Sequence, residues 1–315
     1  MRKNLAFWSA ALLLLVSGCT APTYNNSSTR ILMDTVVNIS AEAELQVINE
    51  AMDLVERYDK LLSRTYSGSE VARLNAGGTA EVSSDTLRLI KSAAVYSERT
   101  GGCFDITVGS VTPLWDFTNG VKANSGDIER ELSNVGYKNI SYEGRTVKLG
   151  GSKIDLGACA KGFVADKLHE YFTEKGINNA LIDLGGNLYI MGGPRDIGIK
   201  NPFGEGTVAT ARVYGGAVVT AGTYERSFTD DGGTYHHILD PKTGYPAKSD
   251  VVSVTVFSES ALEADSLSTA LVVMGLQRGL DFVESAEGVE ALFITKEGEI
   301  FISSGIYCKD GIYRL

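Results

Sequence analysis

The chain has 315 residues and a formal net charge of −10, from 29 Lys and Arg against 39 Asp and Glu. This length can hold one large domain or two small ones, and an apolar fraction of 43% is enough for a substantial core. The acidic balance argues against a nucleic-acid partner, because phosphate binding requires a basic surface. With 35 glycines and only 6 prolines, the composition predicts many tight turns and excludes collagen-like or disordered chains.

The N-terminus predicts an export signal. A basic start precedes an apolar run over residues 5–16, and the motif VSGC ends at Cys19, which is typical of a bacterial lipoprotein. We therefore expect residues 1–18 to be a signal peptide and Cys19 to be lipidated, on the periplasmic or extracellular face of a membrane. A plain signal peptide and an uncleaved anchor are the alternatives, although the run is short for a membrane span. Residues 19–30 are mostly polar, which predicts a flexible tether.

Three cysteines follow the lipidation motif, namely Cys103, Cys159 and Cys308. An odd number in an exported chain does not fit a disulfide framework, and none of them has CxxC spacing. We expect buried thiols, with a single disulfide pair as the alternative.

The first half of the chain predicts helices around one strand. Alternating apolar residues indicate a strand over residues 31–41, and helical spacing indicates an amphipathic helix over residues 44–62. A short helical turn is expected at residues 71–75. A second helix is expected from residue 84 or 85 to a Gly-Gly pair at 101–102. Residues 103–117 have no clean period and predict a structured loop. A short helix (128–135) and two short strands follow.

Strands dominate the second half. After a glycine-containing turn and a helix that ends at Gly176, strands are predicted at 180–184, 188–191, 197–200, 208–214, 217–220 and 251–257. Two helices follow at 263–274 and 280–285, with a terminal hairpin at 291–294 and 300–303. Because strands occur in runs rather than alternating with helices, the pattern favours the α+β class. No repeat or linker divides residues 31–315, so we predict one domain.

The stretch HHILDPKTGYP, residues 236–246, contains two of the three histidines. Ile238 and Leu239 predict a short strand. The DPKTG sequence predicts a turn, with a proline that fixes φ and a glycine that is free to take positive φ. A histidine beside such a stiff turn suits proton transfer. An ordinary hairpin with polar histidines is the alternative.

Three other segments contain candidate chemistry. Asp155 ends a strand before a glycine-containing turn that leads to Lys161 at a helix start, which suits a phosphate or is a plain helix start with a surface lysine. Asp265 and Thr269 share one face of a helix start and suit a hard cation, or serve only in capping. Residues 221–228 predict either a substrate-binding loop or an ordinary surface loop. Neither common glycine-rich nucleotide motif is present, and there is no nucleophile elbow.

Read in order, these segments resemble the ApbE family, the FAD:protein FMN transferases. The resemblance covers residue 31 to the C-terminus, and HHILDPKTGYP and EAD-x-x-x-T are its most specific motifs. The other matching pieces are Met33-Asp34-Thr35, Tyr66 with Ser69-Glu70 and Asn75, Phe104 to Gly109, Ile154 to Gly162, Thr220 to Phe228, and Ser253 to Val256.

The resemblance implies a single ApbE-like domain related to the T-fold, with mostly antiparallel sheets and flanking helices. It implies an enzyme that uses Mg²⁺ and FAD, passes FMN to a Ser or Thr hydroxyl of an acceptor protein, and releases AMP. The implied acceptor is a membrane-associated redox subunit. A FAD pyrophosphatase that yields FMN and AMP, and a flavin-binding lipoprotein without turnover, are the alternatives.

The resemblance also implies roles for individual residues. His237 would assist proton transfer from the acceptor hydroxyl. Asp265 and Thr269 would be side-chain ligands of the metal, and Ala158 and Ser268 would add backbone oxygens. The residues along the FAD would be Met33, Tyr66, Trp115, Asp116, Phe117, Asp155, Lys161 and Leu239.

The chain departs from the family pattern at three places. Asp34 follows the first methionine where the family commonly has glycine. Thr220-Ala221-Gly222-Thr223 stands where Thr-Ser-Gly-Asp is usual, and Ala158-Cys159 replaces the usual Gly-Ile. None of these changes removes a residue assigned to the metal or to proton transfer.

Overall fold

A computed structural model describes residues 24–230 and 232–315. The predicted signal peptide and Cys19 lie outside the described residues. The helices are α1 (Leu45–Leu62), α2 (Glu70–Gly77), α3 (Ser84–Arg99), α4 (Ser125–Leu132), α5 (Ala160–Glu174), α6 (Ala261–Met274) and α7 (Leu276–Glu284). The strands are β1 (Asn26–Leu32), β2 (Thr35–Ala41), β3 (Thr79–Glu81), β4 (Ser141–Glu143), β5 (Thr146–Lys148), β6 (Ala180–Leu184), β7 (Asn187–Met191), β8 (Arg195–Lys200), β9 (Thr207–Val213), β10 (Gly216–Gly222), β11 (Ser227–Asp230), β12 (Gly233–His236), β13 (Val251–Ser258), β14 (Val289–Thr295), β15 (Ile300–Ile302), β16 (Tyr307–Lys309) and β17 (Ile312–Arg314).

An eight-stranded sheet with the order β1-β2-β6-β7-β10-β13-β14-β15 is the centre of the fold. All of its neighbouring strands are antiparallel. Successive side chains of a strand point to opposite faces. In β10, Ala217 and Val219 belong to the large core beneath the helices, whereas Val218 belongs to a second core on the other face. The middle of the sheet is therefore covered on both sides.

Helices α1, α5 and α6 contribute to the large core through side chains such as Ile48, Phe163 and Leu267. Helix α6 is the most enclosed of the three, since ten of its fourteen residues are buried. Helices that are buried on nearly every side usually carry apolar side chains on all of their faces. A carboxylate on this helix, at Asp265, is therefore placed in the interior rather than in solvent.

The other face of the large sheet carries the second core, which includes Ile199, Ala211 and Phe257. Ile199 and Ala211 lie in a four-stranded sheet with the order β16-β17-β9-β8, in which β17 and β9 run parallel. A three-stranded sheet, β3-β5-β4, and the hairpin β11–β12 complete the fold. The predicted α+β class with mostly antiparallel sheets is confirmed.

Two predictions for the N-terminal region are wrong. The single strand predicted over residues 31–41 is a hairpin of β1 and β2, with a turn at Met33 and Asp34, whose φ angles are 52° and 57°. Such turns usually contain glycine or asparagine, so this sequence carries no turn signal. The predicted tether is wrong for residues 26–30, which form most of β1. A polar surface strand can have the same composition as a linker. Residues 26–30 are identified as a strand only by their pairing with β2.

The hairpins β11–β12 and β16–β17 were also not predicted. Their strands are three or four residues long and largely exposed. Such strands show no apolar alternation, because neither of their faces is fully buried.

Within residues 24–230 and 232–315, no helix is long and apolar enough to span a membrane. Cys103, Cys159 and Cys308 are free thiols, of which the first two are buried and the third is exposed. The prediction of buried thiols is thus confirmed for two of the three.

Candidate active site

A cavity of about 830 Å³ lies between the first turn of α5, the second and third turns of α6, the β1–β2 turn, and the loops at residues 104–118 and 237–241. It brings together residues that are far apart in the sequence. The predicted site residues that line it are Met33, Trp115, Asp116, Phe117, Asp155, Ala158, Lys161, His237, Leu239, Asp265, Ser268 and Thr269.

Gly162 allows α5 and α6 to cross closely beside this cavity. A Cβ atom at Gly162 would lie 2.2 Å from the carbonyl oxygen of Ala261 and 2.7 Å from the Cβ of Asp265. The backbone N–H of Gly162 donates to Oδ2 of Asp265 at 2.8 Å. The backbone of one helix therefore orients the carboxylate of the other.

Asp166, on α5, caps the start of α6. Its carboxylate accepts hydrogen bonds from the backbone N–H groups of Ala261 and Leu262 at 2.7 and 3.1 Å, and from the Ser260 hydroxyl at 2.8 Å. These N–H groups have no partner within the helix. Capping was the alternative role considered for Asp265, but Asp166 and Ser260 fill it. Asp265 is left to face the cavity.

The Asp265 side chain is buried, with a relative exposure of 6% for the residue. Burial raises the pKa of Asp265 above its ordinary value, and the Lys161 charge and the Gly162 N–H partly oppose this shift. A buried carboxylate is costly unless a positive charge compensates it. The position is therefore suited to a bound cation.

The groups around Asp265 fit a hard cation. Ala158, Ser268 and Thr269 line the same cavity as Asp265. Carboxylate, hydroxyl and carbonyl oxygens are the ligands that Mg²⁺ prefers, with substrate phosphates and water at the remaining positions. Among the residues that the structure describes, no three or more His, Cys, Asp or Glu side chains cluster in a way that could hold a metal.

Asp155 shapes the turn that leads into α5. Its Oδ2 pairs with Nε of Arg64 at 3.1 Å, and its Oδ1 accepts from the N–H of Gly157 at 2.9 Å. At the helix start, Cys159 makes no side-chain capping hydrogen bond. In this first turn, the N–H groups of Ala160 and Gly162 donate to the Leu156 carbonyl and to Asp265. Lys161, near the positive end of the helix dipole, is therefore the group that suits an anion at the cavity wall.

His237 lies at the cavity wall directly after β12, where its backbone N–H donates to the carbonyl of Arg226 at 3.0 Å. Its ring nitrogen Nδ1 is buried and has no partner among the described residues. Burial, with smaller contributions from the charges of Arg226 and His236, lowers the pKa of His237 to about 4. The ring is therefore neutral at pH 7 and has one nitrogen free to accept a proton.

The neighbouring His236 has a different environment. Its Nε2 donates to the carbonyl of Ala247 at 3.1 Å, and it is absent from the cavity lining. The predicted turn that follows is present: the Gly244 N–H donates to the Asp240 carbonyl at 2.8 Å, and the φ of Gly244 is 71°. Of the two histidines, only His237 is placed to contact a ligand in the cavity.

Aromatic side chains form another part of the wall. The rings of Trp115 and Phe117 stack with centroids 5.7 Å apart and an interplanar angle of 6°. Nε1 of Trp115 donates to the Gly244 carbonyl at 3.1 Å, which ties the aromatic loop to the histidine turn. The carboxylate of Asp116 accepts from the N–H and Nδ2 of Asn119, and these hydrogen bonds lower the pKa of Asp116.

Met33 reaches the cavity from the β1–β2 turn, where its N–H donates to Oδ2 of Asp59 at 3.0 Å. The adjacent Asp34 tolerates its positive φ, because aspartate enters the left-handed region more readily than most residues. Tyr66 is 54% exposed and does not line the cavity, although residues 63–65 do. The structure thus gathers every predicted site residue that it describes except Tyr66.

Three residues at or beside the cavity were not predicted individually, although Arg226 lies in the candidate substrate loop at residues 221–228. Arg64 and Arg226 line it and add positive charge near the anion site and near His237. Asn187, at the start of β7, is 1% exposed and follows a Gly-Gly pair that lines the cavity. For Asn187, the GGN sequence after a strand was the available signal. For Arg226 it was the candidate loop at residues 221–228, whereas Arg64 gave none.

The α+β fold and the composition of the cavity together indicate the class of enzyme. A buried carboxylate, a helix start with a lysine, a neutral histidine and stacked aromatic rings all meet at one cavity. This combination suits an enzyme that acts on a phosphate ester carrying a flat ring system.

Comparisons with known proteins identify the family. The ApbE family model matches residues 33–293. A "FAD:protein FMN transferase" from Klebsiella pneumoniae (strain 342) is 33% identical over 81% of this chain and 84% of its own length. A protein of the same name from Treponema pallidum (strain Nichols) is 30% identical over 97% and 96%, respectively. The chain belongs to the ApbE family.

Solved structures show the same similarity. The crystal structure of the ApbE protein from Thermotoga maritima has a TM-score of 0.83 and 34% identity, over 90% of this chain and 98% of that one. The flavin transferase ApbE from Vibrio cholerae has a TM-score of 0.77 and 28% identity, over 89% and 97%.

Proposed function

We propose that this ApbE-family enzyme transfers the FMN part of FAD to a serine or threonine hydroxyl of an acceptor protein, with Mg²⁺ as cofactor and AMP as the released product. The observation that carries the proposal is that a neutral His237 and a buried Asp265 line one cavity. The names of the relatives support it, since they are FAD:protein FMN transferases.

The side chains of α5 and α6 that line the cavity would bind the diphosphate of FAD together with the cation. Asp265 and Thr269 would hold the cation with their side chains, and Ala158 and Ser268 would add backbone oxygens. When bound, Mg²⁺ neutralises charge on the phosphates and on the leaving group. Lys161, near the positive end of the α5 dipole, would bind the same phosphates from the protein side.

His237 would act as the base. It accepts the proton of the acceptor hydroxyl as the hydroxyl oxygen attacks the phosphorus of the FMN part. A phosphorus–oxygen bond forms to the acceptor, the bond between the FMN phosphorus and the bridging oxygen breaks, and AMP leaves with that oxygen. Because the pKa of His237 is about 4, the ring is already in its proton-accepting form at neutral pH.

The remaining walls would position the flat rings of FAD. Trp115 and Phe117 present a stacked aromatic pair at the cavity, and aromatic faces bind ring systems well. Met33 and Leu239 add apolar surface from two other parts of the chain.

We further propose that the enzyme is exported and anchored by a lipid on Cys19. The support is the N-terminal sequence, with its basic start, apolar run and VSGC motif. The acceptor would then be a redox protein on the same side of that membrane.

The test is a transfer assay with purified enzyme, FAD, Mg²⁺ and an acceptor protein that carries a Ser or Thr flavinylation sequence. We expect the intact mass of the acceptor to increase by one FMN, with AMP released in equal amount. Free FMN and AMP with an unmodified acceptor would favour a pyrophosphatase. Intact FAD that stays bound to the protein would favour a flavin-binding lipoprotein.

A further inference from the structure

Asn187 is a buried amide next to the candidate cation site. It is the first residue of β7 and directly follows a glycine pair that lines the cavity. Residues two apart on a strand share a face, and Tyr189 stacks on His169 of α5 with ring centroids 4.6 Å apart. Asn187 therefore points toward the helix layer that contains Asp265.

The amide of Asn187 has no hydrogen-bond partner among the described residues, at either Nδ2 or Oδ1. The residue opposite it on β10 is Val219, which has no polar side-chain atoms. A buried polar group without a partner costs about 1–3 kcal/mol, and native proteins leave few of them. Leucine has a similar volume and would avoid this cost, so the amide indicates a ligand that it contacts.

The polar neighbour of the amide is Asp265. The nearby amide of Asn187 lowers the pKa of Asp265 and so opposes the effect of burial, although neither amide atom reaches hydrogen-bond geometry. Oδ2 of Asp265 is already held by the Gly162 N–H at 2.8 Å. Among the described residues, Oδ1 of Asp265 has no such backbone donor, and it remains available to the cation and to Asn187.

We propose that Asn187 is a positioning residue of the cation site, whose Nδ2 donates to Asp265 and whose Oδ1 accepts from a water ligand of the bound cation. An amide is suited to this role, because it is neutral and offers a donor and an acceptor at once. Such partners of metal ligands fix the orientation of the ligand, and their loss weakens metal binding about 10- to 100-fold.

This inference rests on the proposed function, in which Asp265 binds the cation. The test is Mn²⁺ binding by the full chain in the presence of ADP, a diphosphate that cannot donate FMN, with free Mn²⁺ measured by electron paramagnetic resonance. We expect Asn187→Leu to raise the Kd for Mn²⁺ about 10- to 100-fold. Without the cation, its Tm should equal or exceed that of the wild type, since two unpaired polar groups are lost.

The matched control is Tyr142→Phe, which removes another buried and unpaired polar group, on β4 of the three-stranded sheet. We expect its Kd for Mn²⁺ to stay at the wild-type value. If Asn187→Leu does not fold, Asn187→Ser is the second variant, because its shorter side chain cannot contact both Asp265 and the water ligand. A Kd within twofold of wild type in the folded Asn187 variant overturns this inference but does not contradict the proposed transfer reaction. A wild-type enzyme that binds no Mn²⁺ overturns the cation site as well.

Discussion

Two walls of the cavity differ in how the fold supports them. The helix wall consists of Lys161, Asp265, Ser268 and Thr269, and its helices belong to the large core beneath the main sheet. The loop wall consists of residues 115–117 and 237–239. Its side chains at Trp115 and Leu239 belong to a small cluster with Val111 and Ile128. Changes in the helix wall should therefore affect folding and chemistry together, whereas changes in the loop wall should remain local.

The two walls also differ in the type of titratable side chain that they present, although burial shifts the pKa in both cases. Burial raises the pKa of Asp265 and lowers that of His237, because in each case it disfavours the charged form. A cation can reverse the penalty at Asp265 by pairing with the carboxylate. At His237 this penalty needs no compensating charge, because the neutral ring is the form that accepts a proton. The same physical effect thus prepares a ligand on one wall and a base on the other.

The largest expected effect is that of Asp265→Ala in the helix wall. Mg²⁺-dependent turnover should fall about 1,000-fold or more, since the carboxylate that holds the cation is lost. Tm should not fall in parallel, because a buried charge is removed. Full Mg²⁺-dependent activity in this variant, measured by AMP release, would show that Asp265 is not a ligand.

The corresponding change in the loop wall is His237→Ala. We expect FMN transfer to slow about 100-fold or more, as is usual for the loss of a general base, while FAD still binds. Transfer rates and FAD affinity should be measured separately. His169→Ala, which alters a histidine that stacks on Tyr189, is the control and should leave the rate unchanged. An unchanged rate in His237→Ala would exclude this residue from the mechanism.

The closeness of α5 and α6 predicts a stability effect. Gly162→Ala should lower the free energy of unfolding by about 2–4 kcal/mol, because the new Cβ would meet the Ala261 carbonyl at 2.2 Å. Gly77→Ala, at the end of α2, is the matched control, since no described atom outside its chain neighbours and its own helix backbone lies within 4 Å of its added Cβ. Denaturant unfolding should show no loss for Gly77→Ala. Equal effects of the two substitutions would mean that the helices do not need this glycine.

His237 predicts a pH dependence of stability. Its pKa is about 4 in the folded protein against an ordinary value of 6.5. Between these values the unfolded chain binds more protons, so the free energy of unfolding rises with pH from 4 to 6.5 and is constant above that window. The contribution is at most about 3 kcal/mol.

The raised pKa of Asp265 acts in the opposite sense, so a variant is needed to isolate His237. In urea titrations at pH 5 and pH 7, His237→Gln should lose less stability on acidification than the wild type. An equal loss in both proteins would contradict the low pKa of His237.

The smallest effect is expected for Trp115→Phe. This change removes the hydrogen bond from Nε1 to Gly244 but keeps an aromatic ring. The loss of one hydrogen bond is worth about 1 kcal/mol, so KM for FAD should rise several-fold with kcat nearly unchanged. A large fall in kcat instead would show that the loop wall takes part in the chemical step.

Local features of the site could be predicted from the sequence. The turn at Asp240–Gly244 follows from a proline and a glycine within five residues, and the start of α5 follows from helical spacing after a glycine-containing turn. The pairing of Asp265 with Thr269 on one helix face is likewise a matter of spacing. These features depend on residues close together in the chain, where propensity and period carry the information.

Tertiary structure alone decided the rest. Asp166, rather than Asp265, caps α6, because the crossing of two helices brings it to Ser260 and Ala261. The local residue pattern did not distinguish His236 from His237, and only the family resemblance assigned the role to His237. Which ring faces the cavity depends on the side chains packed around each of them. The burial that gives Asp265 and His237 their pKa values, and that leaves the amide of Asn187 without a partner, arises from contacts among segments far apart in the chain. Sequence spacing does not record such contacts.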